Sequence, residues 1–350
     1  RFVAMAGSEA GARQSSGVEA DTWAIAGEFL WDGIGDQVQH GLCVIVKGTE
    51  ILRVCPVEEA AKINLPLEHH PGCCLLPGLI DAHVHMEFSE HYPLHEQPAR
   101  TPEQLQAEMR ERALRMVCHG ITAARDLGGT ASFAAFQLRD DILAGHSIGP
   151  RLVCAGQPLT SPNGHCHQWG GVVAGAEEIR AMVDKQVQRG ADWIKVMATG
   201  GIRTPGTRPD QAQFNAEELR EVVAAAAAHG VPVAAHAHAT VGIVDAVAAG
   251  CHTVEHCSWI GSTGWCSGVN DDAIEEMARR GVYVSPTANA NWANRSRFPQ
   301  EAFNKMSAAL VRVRRQGVQL VASSDAGAIP GLSHTRLTGA IEVLAELACM

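Results

Sequence analysis

The sequence predicts an α/β fold, a TIM-like (β/α)8 barrel preceded by a small β domain. Apolar, strand-like runs recur from Leu75 onward, helical stretches lie between them, and glycine follows the end of several of those helices. Strands that alternate with helices in this way form a parallel sheet. At 350 residues, the chain has room for a barrel of about 250 residues and an appended domain.

Two segments precede the first predicted barrel strand. Residues 1–20 are rich in small side chains and lack the basic-then-apolar layout of a signal peptide, so we expect a loose leader. Short β-rich runs at residues 22–25, 43–46 and 51–55 then alternate with turns. They predict the N-terminal part of a small β-sandwich domain over residues 21–74.

Residues 75–350 carry the strands and helices of the predicted barrel. One helix begins near Pro102 and ends near Gly120, and another begins after Asn215 and ends at Gly230, which are typical start and stop residues. The eight predicted strands are residues 75–85, 121–126, 151–155, 193–197, 231–236, 253–256, 282–285 and 318–324. In such a barrel the chemistry lies at the C-terminal ends of the strands.

Composition limits the partners and the compartment. The formal net charge of −10, without any block of Lys and Arg, argues against nucleic acid or an anionic membrane as the main partner. A hydrophobic fraction of 46% without a long apolar run is ordinary for a globular protein that does not span a membrane. Eleven cysteines without a CxxC pair fit free thiols in a reducing compartment, so we expect a cytoplasmic protein. We expect its partner to be a small-molecule substrate.

Side chains that can bind metal end several of the predicted strands. His83 and His85 lie two residues apart at the end of the first strand, so both point to the same side and can hold one divalent cation. Lys195 lies in an apolar strand, where a charged ammonium is costly unless it is paired or neutralised. The later strands end in His236, His256 and Asp325. These six residues predict one site at the mouth of the barrel.

This order of His-x-His, Lys, His, His and Asp resembles that of the amidohydrolase superfamily, and the likeness runs from Leu75 to the end of the chain. The local sequences of residues 195–201 and 236–238 are similar to the subgroup of Xaa-Pro dipeptidases and related N-acyl amino-acid hydrolases, which includes ochratoxin-cleaving amidases. The resemblance implies a binuclear site, usually of zinc. In that site His83, His85 and Asp325 hold the first ion, His236 and His256 hold the second, and carboxylated Lys195 bridges the two.

Physical chemistry supports the implied role of Lys195. Burial near cations lowers the pKa of an ammonium, so a neutral amine can add carbon dioxide and become an anionic bridging carbamate. Two cations that share a water lower its pKa, so that a metal-activated hydroxide attacks the scissile carbonyl. The resemblance therefore implies hydrolysis that depends on both metal ions.

The remaining site residues follow from the same resemblance and from their positions. Asp325 is the expected base, which passes a proton to the leaving amine. His165, after the third strand, corresponds to a histidine that stabilises the tetrahedral oxyanion in the similar subgroup, and His167 is the alternative. His238 and Arg203 are candidate substrate-binding residues, and Arg203 is suited to a substrate carboxylate.

Two other features are interpreted structurally. Arg125 and Asp126 at the end of the second strand predict an ion pair with each other. The glycine pairs at residues 128–129 and 200–201 would let the backbone approach a ligand, although neither has the strand-to-helix fingerprint of a nucleotide site.

The leading hypothesis is a metal-dependent hydrolase that cleaves the amide bond of a dipeptide or N-acyl amino acid with a free carboxylate. An alternative is an imidazolonepropionase-like or deaminating ring hydrolase. Lys195 argues against it, as does Ala239, which stands where imidazolonepropionase has an acidic residue. A third hypothesis is a metal-free barrel with a structural or assembly role, which the retention of all six candidate ligands disfavours.

The chain ends at Met350, inside the predicted eighth helix. Members of the superfamily usually continue with strands that complete the small β domain. We therefore expect either a fragment or a reduced β domain, with those C-terminal strands absent. We also expect a homo-oligomer.

Overall fold

The computed structural model describes residues 21–130, 132–296 and 298–350, so the predicted leader, residues 1–20, lies outside the described residues. The chain divides into two compact units. The first contains the described residues up to Leu79 together with Val117–Ile121, and the second contains Ile80–Met116 and Thr122–Met350.

The first unit is built on one five-stranded sheet. Its elements are β1 (Thr22–Leu30), β2 (Gln39–His40), β3 (Leu42–Lys47), β4 (Glu50–Pro56), α1 (Val57–Lys62) and β5 (Leu67–Leu75). The strands run in the order β2-β1-β3-β4 with antiparallel pairing, and β5 pairs with β1 in parallel. β5 joins the sheet that β1 begins, so the described strands form one sheet, and its completion to a sandwich stays a prediction.

A glycine permits the pairing of β1 with β5. The register of these strands shifts between Gly27 and Phe29. A Cβ atom at Gly27 would lie 2.6 Å from the carbonyl oxygen of Cys73, so only glycine allows the backbones to approach this closely. The core of the sheet consists of small and apolar side chains, including Ala24, Cys43 and Ile45.

The remaining strands alternate with helices. The strands are β6 (Leu79–Val84), β7 (Ile121–Asp126), β8 (Arg151–Cys154), β9 (Ile194–Met197), β10 (Val233–Ala239), β11 (Thr253–Ile260) and β12 (Tyr283–Ser285). The helices are α2 (Pro102–Cys118), α3 (Ala134–Leu143), α4 (Gly175–Gln188), α5 (Ala216–Ala228), α6 (Thr240–Ala249), α7 (Asp271–Arg280), α8 (Gln300–Arg315) and α9 (Leu337–Ala348). Short 3-10 helices span His167–Trp169 and Ala290–Ala293.

These strands form two sheets, ordered β6-β7-β8 and β12-β11-β10-β9, and the pairs from β7 to β8 and from β9 to β12 are parallel. Isolated parallel bridges add Leu159 to Val196, Val284 to Leu320, and Val84 to Ala326. The larger unit therefore has a mixed α/β fold in which parallel strands are joined through helices.

The predicted strand at residues 318–324 is reduced to an isolated bridge at Leu320. Regular pairing is interrupted because the side chain of Asp81 accepts hydrogen bonds from the backbone N–H of Ser324, at 3.0 Å, and from its hydroxyl, at 2.6 Å. Backbone hydrogen bonds to β6 lie on both sides of this contact, from the N–H of Ala82 to the carbonyl of Ala322 at 3.4 Å and from the N–H of Asp325 to the carbonyl of His83 at 2.9 Å.

The core of the larger unit packs helices α4 to α7 against the buried faces of β9 to β11. All seven residues of β10 are buried, and its alanines leave room for the helices to pack closely. Helix α5 begins with a capping box in which the Asn215 side chain accepts from the N–H groups of Glu217 and Glu218, as its sequence predicts. Burial of each large aliphatic side chain contributes about 1.5–3 kcal/mol, so this core fixes the strand ends.

Among the described residues, no helix is long and apolar enough to cross a membrane. All eleven cysteines are free, and six of them are buried.

Candidate metal centre and active site

Six buried side chains form two groups of possible metal ligands, and within each group the ligand atoms lie within 4.8 Å of one another. We call them cluster A (His83, His85 and Asp325) and cluster B (His236, His238 and His256). The paired histidines of β6 and of β10 are each two residues apart along the chain, and alternation along a strand turns both members of a pair to one side.

Cluster A combines one carboxylate with two oriented imidazoles. Oδ1 of Asp325 lies 3.6 Å from Nε2 of His83 and 3.5 Å from Nε2 of His85. Nδ1 of His83 donates to the Glu255 carboxylate at 2.9 Å, and Nδ1 of His85 donates to the carbonyl of Gly128 at 2.7 Å. In a neutral ring with a donor at Nδ1, Nε2 carries a lone pair. Lone pairs and a carboxylate oxygen that face one another fit a cation between them.

Protonation favours the same interpretation of cluster A. Burial, with the nearby Lys195 ammonium, lowers the pKa of His83 to about 4, so the ring is neutral near pH 7. Burial would raise the pKa of Asp325, but its contacts with His85 and His83 hold it below the ordinary value. Cluster A therefore offers an anionic oxygen beside the neutral ring of His83.

Cluster B consists of imidazoles alone. The ring of His256 lies 4.5 Å from that of His236 and 4.7 Å from that of His238, measured between centroids. Nε2 of His236 donates to the carbonyl of Gly200 at 3.2 Å, which leaves Nδ1 as the acceptor atom. Nδ1 of His256 lies 2.9 Å from the Thr287 hydroxyl.

The crowding in cluster B keeps its rings uncharged. Burial lowers the pKa of all three rings, to about 4 for His238 and well below the ordinary value for His236 and His256. Neighbouring histidine rings lower the pKa of His236 and His256 further. Three neutral imidazoles are suitable ligands for a transition-metal ion such as Zn²⁺.

Lys195 lies on β9 and is 1% exposed. Burial lowers the pKa of its amine to about 8, against the opposing effect of the Glu255 and Asp325 carboxylates. Within the described part of the chain, no hydrogen bond or ion pair involves this amine. A buried amine without a partner and with a lowered pKa has the chemistry that carboxylation requires.

One cavity of about 160 Å³ brings these groups together. We call it the inner cavity. Its lining includes all residues of clusters A and B, Lys195, His165 and Arg203, with apolar walls from Trp169, Met197, Trp265, Trp292 and Ile329. The structure therefore places at one cavity all six side chains that the sequence predicts as metal ligands.

Several residues of the site have left-handed backbone conformations, which side chains other than glycine rarely adopt. The φ angle is +58° at Asp325, +67° at His256 and +50° at Thr287. Asp81 holds Asp325 in place, because its carboxylate fixes the adjacent Ser324, and burial raises the pKa of Asp81 to about 6. Strained backbone of this kind is concentrated at functional sites.

Glu255, which orients His83, is not among the residues predicted from the sequence. Its carboxylate is fully buried, accepts from His83, and pairs with Arg125 at 2.8 Å. Burial would raise its pKa, but the Arg125 guanidinium and His83 lower it, so Glu255 is ionised. The predicted pair of Arg125 with Asp126 is wrong, because Asp126 accepts from the N–H of Met86. An acidic residue inside the apolar β11 was the available signal for a buried partner.

His165 lines the inner cavity beside cluster B, with ring centroids 4.7 Å from His236. Its Nδ1 lies 2.8 Å from the Thr204 hydroxyl, and burial with the neighbouring His238 and Lys195 lowers its pKa to about 3. A Cβ atom at Gly201 would lie 2.4 Å from its Nε2. The glycine at 201 therefore makes room for His165, whereas the sequence analysis interpreted it as room for a ligand.

Of the other three predicted site residues, His238 and Arg203 line the inner cavity and His167 does not. His167 is half-buried, with Nδ1 bonded to the carbonyl of Gly164, and does not line the inner cavity. His238 belongs to cluster B, where its Nδ1 lies 2.8 Å from the Ser258 hydroxyl. Arg203 lines the inner cavity, is exposed, and forms no ion pair with a described residue.

Comparison with known proteins gives related hydrolases. The chain is 31% identical to an ochratoxinase of Aspergillus niger over 218 residues, which cover 55% of this chain and 45% of that protein. It therefore spans less than half of that relative.

Two solved structures share the fold over most of the chain. A Xaa-Pro dipeptidase with methionine bound in its active site has a TM-score of 0.79 at 26% identity, covering 93% of this chain and 84% of that one. A prolidase complexed with N-methylphosphonate-L-proline has a TM-score of 0.73 at 25% identity, covering 94% and 88%.

The model of the amidohydrolase family matches residues 74–349. This range contains both clusters and Lys195, and it confirms the resemblance found in the sequence. The chain belongs to the amidohydrolase family.

Proposed function

We propose that this protein is a binuclear metal-dependent amidohydrolase, a peptidase or amidase that cleaves the amide bond of a dipeptide or N-acyl amino acid with a free carboxylate. The observation that carries the proposal is the convergence of clusters A and B with Lys195 at one cavity. The related Xaa-Pro dipeptidase, prolidase and ochratoxinase support the substrate class by their names.

The donor atoms fit two divalent ions, for which zinc is our proposal. Cluster A would hold one ion, and His236 and His256 would hold the other, with His238 beside them. Lys195, once carboxylated, would supply the anionic bridge that neutral cluster B lacks. When bound, such a pair of cations lowers the pKa of water and polarises a carbonyl.

The protein's own side chains have distinct proposed roles. The Asp325 carboxylate, ionised and held by its strained backbone, accepts a proton and delivers it to the leaving amine. The neutral His165 ring donates a hydrogen bond to the oxygen of the scissile carbonyl. The unpaired Arg203 guanidinium binds the substrate carboxylate. His167 is not assigned a role, because it lies outside the inner cavity.

We also propose that the parallel strands close into a TIM-like (β/α)8 barrel. The two sheets supply seven strands, and the bridge at Leu320 supplies the eighth position. The bridges at Leu159, Leu320 and Ala326 support continuity from β8 to β9 and from β12 back to β6. The site then lies at the C-terminal mouth, where barrel enzymes carry their chemistry.

Metal analysis of the purified protein combined with a substrate screen tests the function. We expect about two ions per chain, and amine release from dipeptides or N-acyl amino acids that stops when the metal is removed. Near-zero metal without hydrolysis would favour the structural barrel instead. Release of ammonia from ring substrates, with no amide cleavage, would favour the deaminating alternative.

An arginine comparison tests the carboxylate role. Arg203→Ala should raise KM about tenfold for substrates with a free carboxylate, and much less for their methyl esters, because one charged hydrogen-bonding group is lost. Arg208→Ala is the matched control, since Arg208 lies on the same loop but pairs with Asp210 and does not line the inner cavity. Equal effects of the two substitutions would contradict the role of Arg203.

Homo-oligomerisation and a cytoplasmic location stay predictions. Size-exclusion chromatography with light scattering measures the first, and fractionation of the source cells measures the second.

A further inference from the structure

A second pocket adjoins the inner cavity. This outer pocket, of about 160 Å³, is lined by Pro93, Leu94, His95, Ile202, Arg203, Pro205 and Pro330. Leu94, Ile202 and Arg203 line both the inner cavity and the outer pocket, so the two spaces share a wall. Nothing in the proposed chemistry uses the outer pocket.

Hydrogen bonds fix the first of the three loops that form the outer pocket. The Gln97 side chain closes the loop that carries Pro93 to His95, because it accepts from the N–H of Ser89 at 2.9 Å and donates to the carbonyl of Ser89 at 3.0 Å. Leu94 on this loop is 6% exposed and packs in a cluster with Phe88 and Trp169. Hydrogen bonding and packing therefore hold Leu94 in the wall between the two spaces.

The other two loops are tied as well. The Thr207 hydroxyl lies within hydrogen-bonding distance of the carbonyls of Gly201 and Thr204, at 3.0 and 2.9 Å, across the loop that carries Arg203, and donates its one proton there. The N–H of Gly331, next to Pro330, donates to the carbonyl of Glu90 at 2.7 Å and so joins the third loop to the first. Hydrogen bonds therefore tie all three loops that form the outer pocket.

The size and lining of the outer pocket indicate what it accepts. Five of the seven lining residues are apolar, namely three prolines with Leu94 and Ile202, and Ile202 is 59% exposed although it is a large aliphatic side chain. An apolar cavity of about 150 Å³ accepts one benzene ring. The space therefore suits one aromatic or branched aliphatic group, and the Arg203 guanidinium at its edge disfavours a basic group.

We propose that the outer pocket binds the side chain of the amino acid released by hydrolysis, and that it selects bulky apolar side chains. This inference rests on the proposed function, in which Arg203 holds the carboxylate of that amino acid. Its Cα carries both the carboxylate and the side chain, so the pocket for the side chain must adjoin the residue that holds the carboxylate. Arg203 borders the outer pocket, which meets this requirement.

A substrate series tests the selection. With one acyl group kept constant, N-acyl derivatives of glycine, alanine, lysine, leucine and phenylalanine are compared as substrates of the zinc-loaded protein. We expect kcat/KM to be at least about tenfold higher for phenylalanine and leucine than for glycine. This ratio corresponds to a free energy of about 1.4 kcal/mol or more from burial of the apolar side chain. Equal values across the series, or a preference for lysine, would overturn the proposal while leaving amide hydrolysis intact.

A matched pair of substitutions locates the selecting surface. His95 lines only the outer pocket, and His95→Trp fills it with a larger ring. We expect the phenylalanine-to-glycine ratio of kcat/KM to fall at least about tenfold in this variant. His91→Trp on the same loop, outside both spaces, is the control and should retain the ratio of the unaltered protein. An unchanged ratio in His95→Trp would place the selection elsewhere.

Binding of free amino acids separates this proposal from the proposed function. Titration calorimetry should show that L-phenylalanine binds at least about tenfold more tightly than glycine, and that His95→Trp removes the difference. If no amide is cleaved but this difference is observed, the proposed function fails and the pocket stands. If amides are cleaved but the two amino acids bind equally, the pocket assignment fails and the function stands.

Discussion

Clusters A and B use the same residue type but differ in what surrounds it. In cluster A, the Nδ1 partners are the Glu255 carboxylate and a backbone carbonyl, and Asp325 adds an anionic ligand. In cluster B, two of the three rings face the hydroxyls of Thr287 and Ser258. A carboxylate partner fixes the tautomer of an imidazole and raises its basicity, whereas a hydroxyl can rotate. The groups around a histidine, more than the histidine itself, therefore set its strength as a ligand.

We therefore expect cluster A to bind a cation more tightly than cluster B, and we expect cluster B to depend on the negative charge of a carboxylated Lys195. Each prediction that follows tests one part of this difference.

The largest effect is expected from Lys195→Ala, which removes the proposed bridge. Metal content should fall from about two ions to one per chain, and kcat/KM should fall at least about a thousandfold, the upper range for loss of one electrostatic contact. Added short carboxylic acids should restore part of the activity. Lys305→Ala is the control, since this exposed lysine pairs with Glu301. Full activity of Lys195→Ala would exclude a bridging role.

Stepwise removal of metal measures directly which of clusters A and B binds its ion more tightly. With increasing chelator, the ion at cluster B should leave first, and most activity should be lost with this first equivalent. Metal content and activity measured on the same samples check this order. Simultaneous loss of both ions would show that the two clusters bind with equal strength.

Glu255→Gln should weaken cluster A. We expect a loss of about 10–100-fold in affinity for its ion, because His83 loses its carboxylate partner. The free energy of unfolding should also fall by about 3 kcal/mol, since the buried Arg125 guanidinium loses its anionic partner. Metal titration and urea denaturation measure the two effects. Unchanged affinity would mean that Glu255 serves only to pair Arg125.

Ser258→Ala gives the smallest expected effect, because it removes only a hydroxyl partner of His238 in cluster B. We expect less than about a tenfold loss of metal affinity at that cluster. A loss of metal affinity as large as that in Glu255→Gln would contradict the proposed difference between the two clusters.

Much of this site is visible in the sequence, because strand ends are local features. His83, His85, Lys195 and His236 each follow or interrupt an apolar run, and parallel strands bring such ends to one edge. The pairing of Arg125 with Glu255 is not visible, since it joins residues 130 positions apart. The pairing of β5 with β1 in the small unit is not visible in the sequence either, because the two strands are distant along the chain.

The irregular backbone before Asp325 could not be predicted either. Residues 318–324 have the composition of a strand, but the contact of Asp81 with Ser324 replaces ladder hydrogen bonds. His165 shows a similar dependence on distant sequence, because its position requires the absence of a side chain at Gly201. In both cases a long-range contact overrides the local pattern.

Two separate requirements restrict the residue type at position 325, namely the left-handed φ of the backbone and the chemistry of the site. Glycine, asparagine and aspartate adopt that conformation most readily, and β-branched residues do so rarely. A library of chains sorted only for correct folding should thus retain these three residues at 325, and sorting for turnover should then discard all but aspartate. Asparagine is accordingly the replacement that removes the charge and spares the backbone.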